Sequence, residues 1–222
     1  METTSDHERV RYDQLDLERL TPTYIVGKRC FDIVTSFVGL VLLSCVFLII
    51  AVLIKLDDPH GKVFYSQTRL GKDGRNFQMW KFRSMVANAD EMVDRLLKKN
   101  EVEGPMFKIK DDPRITRVGR VLRKHSLDEL PQLYNVLRGD MSLVGPRPPL
   151  PREVANYTDR DRQRLVVMPG CTGLWQVSGR SNLDFSEMVA LDIQYINNAS
   201  FLQDVTILFK TFSVVIRPNG AY

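Results

Sequence analysis

The sequence predicts a mostly helical α+β protein, in which a small domain with interfacial amphipathic helices is built onto an N-terminal membrane-embedded helical segment. Three observations predict this class: an uncharged apolar run over residues 33–54, two short strand patterns after it, and helical periodicity in most of the remainder. The chain has 222 residues, 44% hydrophobic and 26% charged, so it can bury a sizeable core. This composition excludes collagen-like, low-complexity and globally disordered classes.

We divide the chain into a polar tail (1–22) expected to be disordered, a membrane segment (23–56) and a cytoplasmic domain (57–222). The tail has three basic and six acidic residues, whereas the rest carries a net charge of +7. A basic body is typical of proteins that bind nucleic acid, a phosphorylated substrate or lipid headgroups, although it also occurs as a generic soluble surface. The three cysteines are too few and too far apart for a disulfide framework or a zinc ribbon, which indicates a reducing compartment.

The apolar run from Ile33 to Ile54 would reach about 33 Å as a helix, close to the thickness of a bilayer core. Hydropathy alone favours a straight transmembrane helix. However, basic residues lie on both sides of the run, and basic flanks favour the cytoplasmic side. A re-entrant helix that enters and leaves on one face satisfies both flanks. Such a helix needs a break, for which Gly39 and Ser44 are the weak points.

The elements predicted after this segment are, in order, strands at 63–65 and 77–82 around a loop at 70–74, and helices at 87–100, 115–124, 187–197 and 201–216. Helix 115–124 is amphipathic with a basic face. This face is either a solvated surface or a binding surface for phosphate or anionic lipid, and the pattern favours neither. Helix 201–216 has few charges and wide apolar coverage, which suits burial or a membrane interface.

A further helix begins within residues 126–131, and two registers compete. Ser126 and Glu129 fit a capping box, but Pro131 would then occupy the fifth helical position, where its ring clashes. With Asp128 as the N-cap, Pro131 falls in the first turn, where its missing N–H is tolerated. We favour this second register. The buried face is then expected to consist of Leu130, Leu133, Tyr134 and Leu137.

Two segments without helical pattern follow this helix. The proline-rich run 145–151 cannot be helical, and it predicts a stiff extended segment that holds Arg147 in a fixed place. The glycine-rich segment 169–180 predicts a turn, a strand and another turn.

Common site motifs are absent from the sequence: there is no phosphate-binding P-loop, no dinucleotide fingerprint, no serine nucleophile elbow and no paired histidines. The adjacent carboxylates Asp128 and Glu129 remain. Such a pair at a helix start is commonly a cap or a partner of the helix dipole. Here cations surround the pair, and both cations and a helix N-terminus keep a carboxylate ionised. These cations are Arg114, Arg117, Arg120, Arg123, Lys124, Arg138 and Arg147.

An ionised aspartate can attack phosphorus, and Mg²⁺ binds one or two carboxylates together with substrate phosphate oxygens. Arg147 and Arg180 could clamp phosphates in the bidentate way that a guanidinium allows. The residues therefore indicate phosphoryl chemistry at a membrane surface.

Four ordered motifs carry a resemblance that covers about residues 28–222. They are KFRSM at 81–85, SLDELPQL at 126–133, NVLRGDMSLVGPRP at 135–148 and PGCTGLWQVSGR at 169–180. On these motifs the chain resembles the bacterial sugar transferase family, the monotopic phosphoglycosyl transferases.

The resemblance implies transfer of a sugar 1-phosphate from a nucleoside diphosphate sugar to polyprenyl phosphate, with UMP leaving a UDP-sugar, at the start of glycan or exopolysaccharide assembly. In the family an Asp-Glu dyad is catalytic, the Asp forms a covalent phosphosugar intermediate, and Mg²⁺ is required. The matching residues are Asp128 and Glu129, which would also hold the metal. The resemblance further implies the cytoplasmic face of the bacterial inner membrane and a re-entrant helix. Relatives commonly have Ser-Pro at its break, so Ser44-Cys45 predicts a shallower bend.

The candidates for substrate binding are Arg83, Arg147, Gln176 and Arg180. For each arginine the alternative is a structural ion pair, such as one between Arg180 and Asp192, and Trp175 is expected in the core.

Two other functions compete with this enzyme. A membrane-tethered basic module for nucleic acid or anionic lipid would not need a privileged carboxylate pair, and the clustering of cations around one such pair argues against it and against a nucleic-acid partner. A transferase with a nucleotide-binding α/β fold would need βαβ repeats, which the sequence lacks. A homo-oligomer is left open.

Overall fold

The computed structural model describes residues 15–89, 91–92, 112–179 and 183–216. The helices are α1 (Pro22–Leu42), α2 (Ser44–Asp57), α3 (Arg117–Lys124), α4 (Gln132–Arg138), α5 (Pro151–Val154), α6 (Asp159–Arg162), α7 (Leu174–Ser178), α8 (Phe185–Asn197) and α9 (Phe201–Ile216). The strands are β1 (Phe64–Leu70), β2 (Asn76–Phe82), β3 (Ser142–Val144) and β4 (Gly170–Thr172). The mostly helical α+β class is confirmed.

β1 and β2 form an antiparallel hairpin in which Phe64 pairs with Phe82 and Leu70 pairs with Asn76. Both predicted strands are confirmed, but β1 is longer than predicted. Its second half lacks apolar alternation and is paired through polar groups, since the Gln78 side chain donates to the Thr68 hydroxyl at 3.0 Å.

α4 lies against the free edge of β2, where the buried side chain of Asn135 joins the two elements. Its Oδ1 accepts from the backbone N–H of Trp80 at 2.9 Å, and its Nδ2 donates to the carbonyl of Gln78 at 2.7 Å. The side-chain amide therefore satisfies this edge as a neighbouring strand would.

The buried face predicted for this helix is wrong in part. Tyr134 is 49% exposed, and the buried positions of α4 are Gln132, Asn135 and Val136. Hydropathy places amides outside, whereas here they are buried because α4 packs beside a backbone edge that needs hydrogen-bond partners.

β3 and β4 are paired in parallel, with Ser142 opposite Gly170 and Val144 opposite Thr172. They lie in the main core, which contains Met79, Val136, Met141, Leu143, Val144, Tyr195, Ile196 and Ile207. The strand predicted within residues 169–180 is therefore only three residues long, and the helix α7 replaces its second half. The Thr172 carbonyl accepts from the Gly145 N–H at 2.9 Å, and the chain then turns at Gly173 into α7.

Four residues of α1, spaced four apart, face the domain. Tyr24 and Lys28 donate to the Asp204 carboxylate of α9 at 2.9 and 2.8 Å, and Asp32 accepts from the backbone N–H of Leu143 at 3.0 Å. Ser36, one turn further on, is fully buried. Because i and i+4 positions share one face of a helix, this polar stripe docks α1 on the domain.

The opposite face of α1 is apolar and exposed, as are much of α2 and part of α9. The large exposed side chains are Ile25, Val26, Ile33, Val34, Phe37, Val38, Val41, Leu42, Leu48, Ile49, Val52, Leu53, Leu56, Phe201, Leu202, Phe209 and Phe212. α1 thus has its polar face inside and its apolar face outside, the reverse of a surface helix in a water-soluble protein.

α1 and α2 meet at Leu43 and are bent by 59°. The break predicted near Ser44 is confirmed. Among the described residues, no single helix is long and apolar enough to cross a membrane, although the bent pair together passes the same test of length and composition.

The remaining predicted elements agree with the structure where it describes them. α3, α8 and α9 are confirmed within two residues at each end, and the proline-rich run is not helical before Pro151, where α5 begins. The helix predicted at 87–100 lies mostly outside the described residues, and its positions 87–89 and 91–92 form turns.

The last residues of the predicted polar tail are packed rather than detached. Leu15 and Leu20 pack against the main core, and the Asp16 N–H donates to the Asn197 side chain at 2.8 Å.

The bend at Leu43 predicts that Cys45→Pro is tolerated. Cys45 is the second residue of α2, where a backbone N–H has no partner within its own helix, so proline removes little. Ile49→Pro, in the middle of α2, should instead cost about 3 kcal/mol. Thermal unfolding of both variants in the same detergent checks this, and equal losses of Tm would show that the helix does not restart at Ser44.

Candidate active site

The acidic pair lies in a single 3₁₀ turn, Leu127–Glu129, between α3 and α4. Ser126, just before it, adopts a left-handed conformation with φ of 53°, which reverses the chain out of α3. Asp128 is 7% exposed, whereas the Glu129 side chain is 36% exposed. The turn therefore directs two adjacent carboxylates into different surroundings.

Neither predicted register is observed. Asp128 does not cap α4, because that helix begins at Gln132 after Pro131. The capping box also does not form, since Ser126 makes no side-chain capping bond. Only the placement of Pro131 at a helix start, where its missing N–H is tolerated, agrees with the favoured register.

Glu129 is held by Lys81 of β2, whose ammonium lies 2.6 Å from Glu129 Oε1. Sequence analysis missed Lys81 as a site residue. Its signal was position: Phe77, Met79 and Lys81 alternate along β2, and the first two pack into the main core. A lysine that continues a core-facing strand face needs a buried partner.

The two carboxyl groups have opposite pKa shifts. Burial raises the pKa of Asp128, the charge of Glu129 adds to this rise, and Lys81 and Arg123 oppose it. Burial would also raise the pKa of Glu129, but the Lys81 ammonium outweighs it, with help from Arg147 and Arg69, so this pKa is lowered. At Asp128 the nearby cations oppose the rise in pKa, but desolvation is the larger effect.

The cations around the pair do different things. Arg123 is the one on α3 whose charge acts on Asp128, and its Nε donates to the Ser84 hydroxyl at 2.9 Å. Arg114 forms a buried pair with Asp112, with 2.6 Å between Nη2 and Oδ2. Arg117, Arg120 and Lys124 are exposed.

Arg147 lies in the extended segment after β3, as predicted, and its charge lowers the pKa of Glu129. Within the described ranges its side chain forms no hydrogen bond or ion pair. Sequence analysis missed its neighbour Arg69, which donates to the Pro148 carbonyl at 3.1 Å. Burial and the charge of Arg147 lower the pKa of Arg69 to about 10.

The other predicted substrate contacts are placed differently. Arg83 is buried and paired with Asp58, with 3.1 Å between Nη2 and Oδ2, so the structural ion pair considered from the sequence is observed. Gln176 lies on α7 and donates to the Cys171 carbonyl at 3.3 Å. Arg180 lies outside the described residues, and the buried Asp192 is paired with Arg164. Trp175 is in the core, as expected.

Asp128 and Glu129 offer hard carboxylate oxygens, the donors that Mg²⁺ prefers. Among the described residues, no group of three or more His, Cys, Asp or Glu side chains could hold a metal. The two carboxylates are the number that a protein commonly gives to an Mg²⁺ ion whose other ligands are substrate phosphates and water.

This arrangement suits chemistry on an anionic, phosphate-containing group. A desolvated carboxyl, a neighbouring carboxylate of lowered pKa, a paired ammonium and a guanidinium without a partner among the described residues lie in one region. Groups of these kinds can act as a nucleophile and as cations that stabilise charge at phosphorus.

The chain is similar to known proteins over most of its length. The family model described as "Bacterial sugar transferase" matches residues 23–218. The galactosyl transferase CpsE of Streptococcus agalactiae is 46% identical over 200 residues, which cover 90% of this chain and 44% of that protein. The undecaprenyl-phosphate galactose phosphotransferase of Salmonella typhimurium is 47% identical over 199 residues, covering 88% and 41%.

Relatives of different length also match. The chain spans less than half the length of the two proteins just named. In contrast, the exopolysaccharide production protein ExoY of Sinorhizobium fredii is 42% identical over 201 residues, which cover 89% of this chain and 88% of that protein. The family model covers the acidic turn, β2 and the segment that contains Arg147. The chain therefore belongs to the bacterial sugar transferase family.

Proposed function

We propose that the chain transfers a sugar 1-phosphate from a nucleoside diphosphate sugar, specifically a UDP-sugar, to polyprenyl phosphate. The observation that carries this is the buried Asp128 beside a Glu129 held by Lys81, with Arg147, which has no partner among the described residues, close enough to lower the pKa of Glu129. The names of three relatives support it: an undecaprenyl-phosphate galactose phosphotransferase, a UDP-galactose-lipid carrier transferase and an exopolysaccharide production protein.

The proposed reaction has two displacements at one phosphorus. In the first, a carboxylate oxygen of Asp128 attacks the phosphorus that bears the sugar. The bond from this phosphorus to the bridging diphosphate oxygen breaks, and UMP leaves with that oxygen. In the second, a phosphate oxygen of polyprenyl phosphate attacks the same phosphorus, and the aspartyl oxygen leaves. Splitting the transfer in this way is ordinary nucleophilic catalysis.

The surroundings of the pair suit these steps. Asp128 is buried and therefore poorly hydrated, so its carboxylate has little water to lose before it attacks. Nearby cations offset the negative charges of the carboxylate and of the substrate. Lys81 keeps Glu129 ionised, and Arg147 provides a forked donor for diphosphate oxygens. Mg²⁺ held by Asp128 and Glu129 would supply further charge neutralisation on the diphosphate.

We also propose that α1 and α2 form a re-entrant segment on the cytoplasmic face of the bacterial inner membrane. The exposed apolar faces of α1, α2 and α9 need a hydrocarbon environment, and the bend at Leu43 lets both basic flanks lie on one side. Leu127 and Leu130, within and just after the acidic turn, pack against the cluster that contains Ile50 and Ile54 of α2, which supports entry of polyprenyl phosphate beside this turn.

The nucleophile assignment predicts that Asp128→Asn abolishes transfer, because an amide cannot attack phosphorus. Intact-protein mass spectrometry of the wild type with UDP-sugar and no acceptor should show a sugar phosphate adduct, which the variant lacks. Asp73→Asn is the matched control, since Asp73 is exposed and its φ of 56° suits Asn equally well. Activity above a few per cent in Asp128→Asn would remove Asp128 from this role.

The free guanidinium of Arg147 predicts that even Arg147→Lys impairs turnover, by about tenfold or more, since Lys cannot form a bidentate fork. Steady-state kinetics with varied donor concentration measures this. Arg152→Lys, on an exposed arginine five residues away, should behave as the wild type. Normal kcat and donor KM in Arg147→Lys would show that Arg147 is a generic charge.

The re-entrant proposal predicts that positions 21 and 57 are both cytoplasmic. Single cysteines at Thr21 and Asp57, in a chain whose three native cysteines are replaced, should resist a membrane-impermeant thiol reagent in intact cells and react after lysis. Labelling of position 21 from outside would instead show a single-pass protein.

A further inference from the structure

α3 presents a basic stripe to solvent that the proposed reaction does not use. Arg117, Arg120, Val121 and Lys124 are all exposed, Val121 by 58%. Their spacing of three, four and seven residues places them on one face of the helix. In the parts of the chain that the structure describes, none of the three cations forms a salt bridge.

The opposite side of α3 fixes this stripe in place. Leu122 belongs to a second core with Ile50 and Ile54 of α2. A Cβ on Gly119 would lie 2.0 Å from the Ser84 carbonyl oxygen, so α3 is pressed directly against the backbone after β2. The stripe is therefore part of a rigid surface and not of a mobile tail.

α3 also lies at the polar end of the apolar helix α2. The Asp57 carboxylate, at the last residue of α2, accepts from the backbone N–H of Val118 at 3.0 Å. Immediately before it, α2 exposes Leu53 by 43% and Leu56 by 74%. A row of unpaired cations thus borders an exposed apolar surface at the level where α2 ends.

We infer that this stripe is a binding surface for the headgroups of anionic phospholipids around the protein. The inference rests on the proposed membrane arrangement: if α2 lies in the hydrocarbon, its last turn lies at the headgroup layer, and so does α3. Basic side chains at this depth attract anionic lipid by about 1 kcal/mol each, which is about a fivefold preference per residue. The exposed Val121 between them adds an apolar contact with the acyl boundary.

The test measures lipid selectivity of the full chain in nanodiscs, without donor or acceptor. Spin-labelled phosphatidylglycerol and phosphatidylcholine are compared by electron spin resonance, which reports the fraction of each lipid immobilised by the protein. The wild type should prefer phosphatidylglycerol severalfold at low salt, and the preference should fall at high salt. Arg117→Gln/Arg120→Gln/Lys124→Gln should lose most of it.

A matched control removes the same charge elsewhere. Lys72→Gln/Arg75→Gln/Arg152→Gln changes three exposed cations, two of them in the hairpin loop, which is about 20 Å along β1 and β2 from the end near α2. This variant should keep the wild-type selectivity. Equal losses in both variants, or no loss in the α3 variant, would overturn the inference.

The assay is independent of transfer chemistry. If the wild type shows no lipid selectivity but does form the sugar phosphate adduct on Asp128, the lipid-binding surface is refuted and the proposed reaction stands. The opposite pair of results would retain the surface and remove the reaction.

Discussion

The side-chain amide of Asn135 holds the two halves of the candidate site together. It pairs with two backbone groups of β2, the Trp80 N–H and the Gln78 carbonyl, and it is fully buried. An unsatisfied edge at this depth would cost about 1–3 kcal/mol per group. Because of this bond, α4 and the acidic turn before it are fixed in register with β2. That register is what brings Lys81 to Glu129.

The contrast between the two carboxyls follows from this geometry. The turn buries Asp128 and leaves Glu129 facing the Lys81 ammonium, so that desolvation dominates at one residue and an ion pair at the other. The two adjacent carboxyl groups thereby have pKa values shifted in opposite directions, as expected when two titratable groups have different environments. Arg147, in the proline-rich segment, adds positive charge near Glu129. It forms no ion pair with any residue that the structure describes.

The helix α1 is packed firmly on the domain. Lys28 and Tyr24 of α1 and Tyr195 of α8 all meet the Asp204 carboxylate of α9, and Arg29 donates to the carbonyls at the end of α4 at 2.6 and 2.9 Å. The side chains of Tyr24, Lys28, Arg29 and Asp32 are thus paired with the domain, and the outward side of α1 is mostly apolar. Because α1 and α2 are packed on the domain in this way, the distance between the acidic turn and the exposed apolar surface of these two helices is fixed.

Local sequence determined much of the framework. The apolar run with its break, the hairpin, α3, α8 and α9 were all predictable, because each is encoded by periodicity, turn residues and caps within a short window. The acidic pair and Arg147 could be named from their motifs. α7 was predicted as a strand, since a short apolar segment does not distinguish the two states by pattern.

Tertiary structure decided which charges are free and which are paired. Arg83 and Arg147 look equivalent in sequence, but Asp58 lies 3.1 Å from the first and no described residue pairs with the second. The site depends on contacts between residues that are far apart in the chain. Examples are the contact of Lys81 with Glu129 and the contacts of the inward polar stripe of α1 with the domain. The burial of Asp128 likewise depends on how distant elements pack. Their pairing depends on how β2, α4 and α9 pack, and the free energy of a charge depends on the burial and the partners that this packing creates.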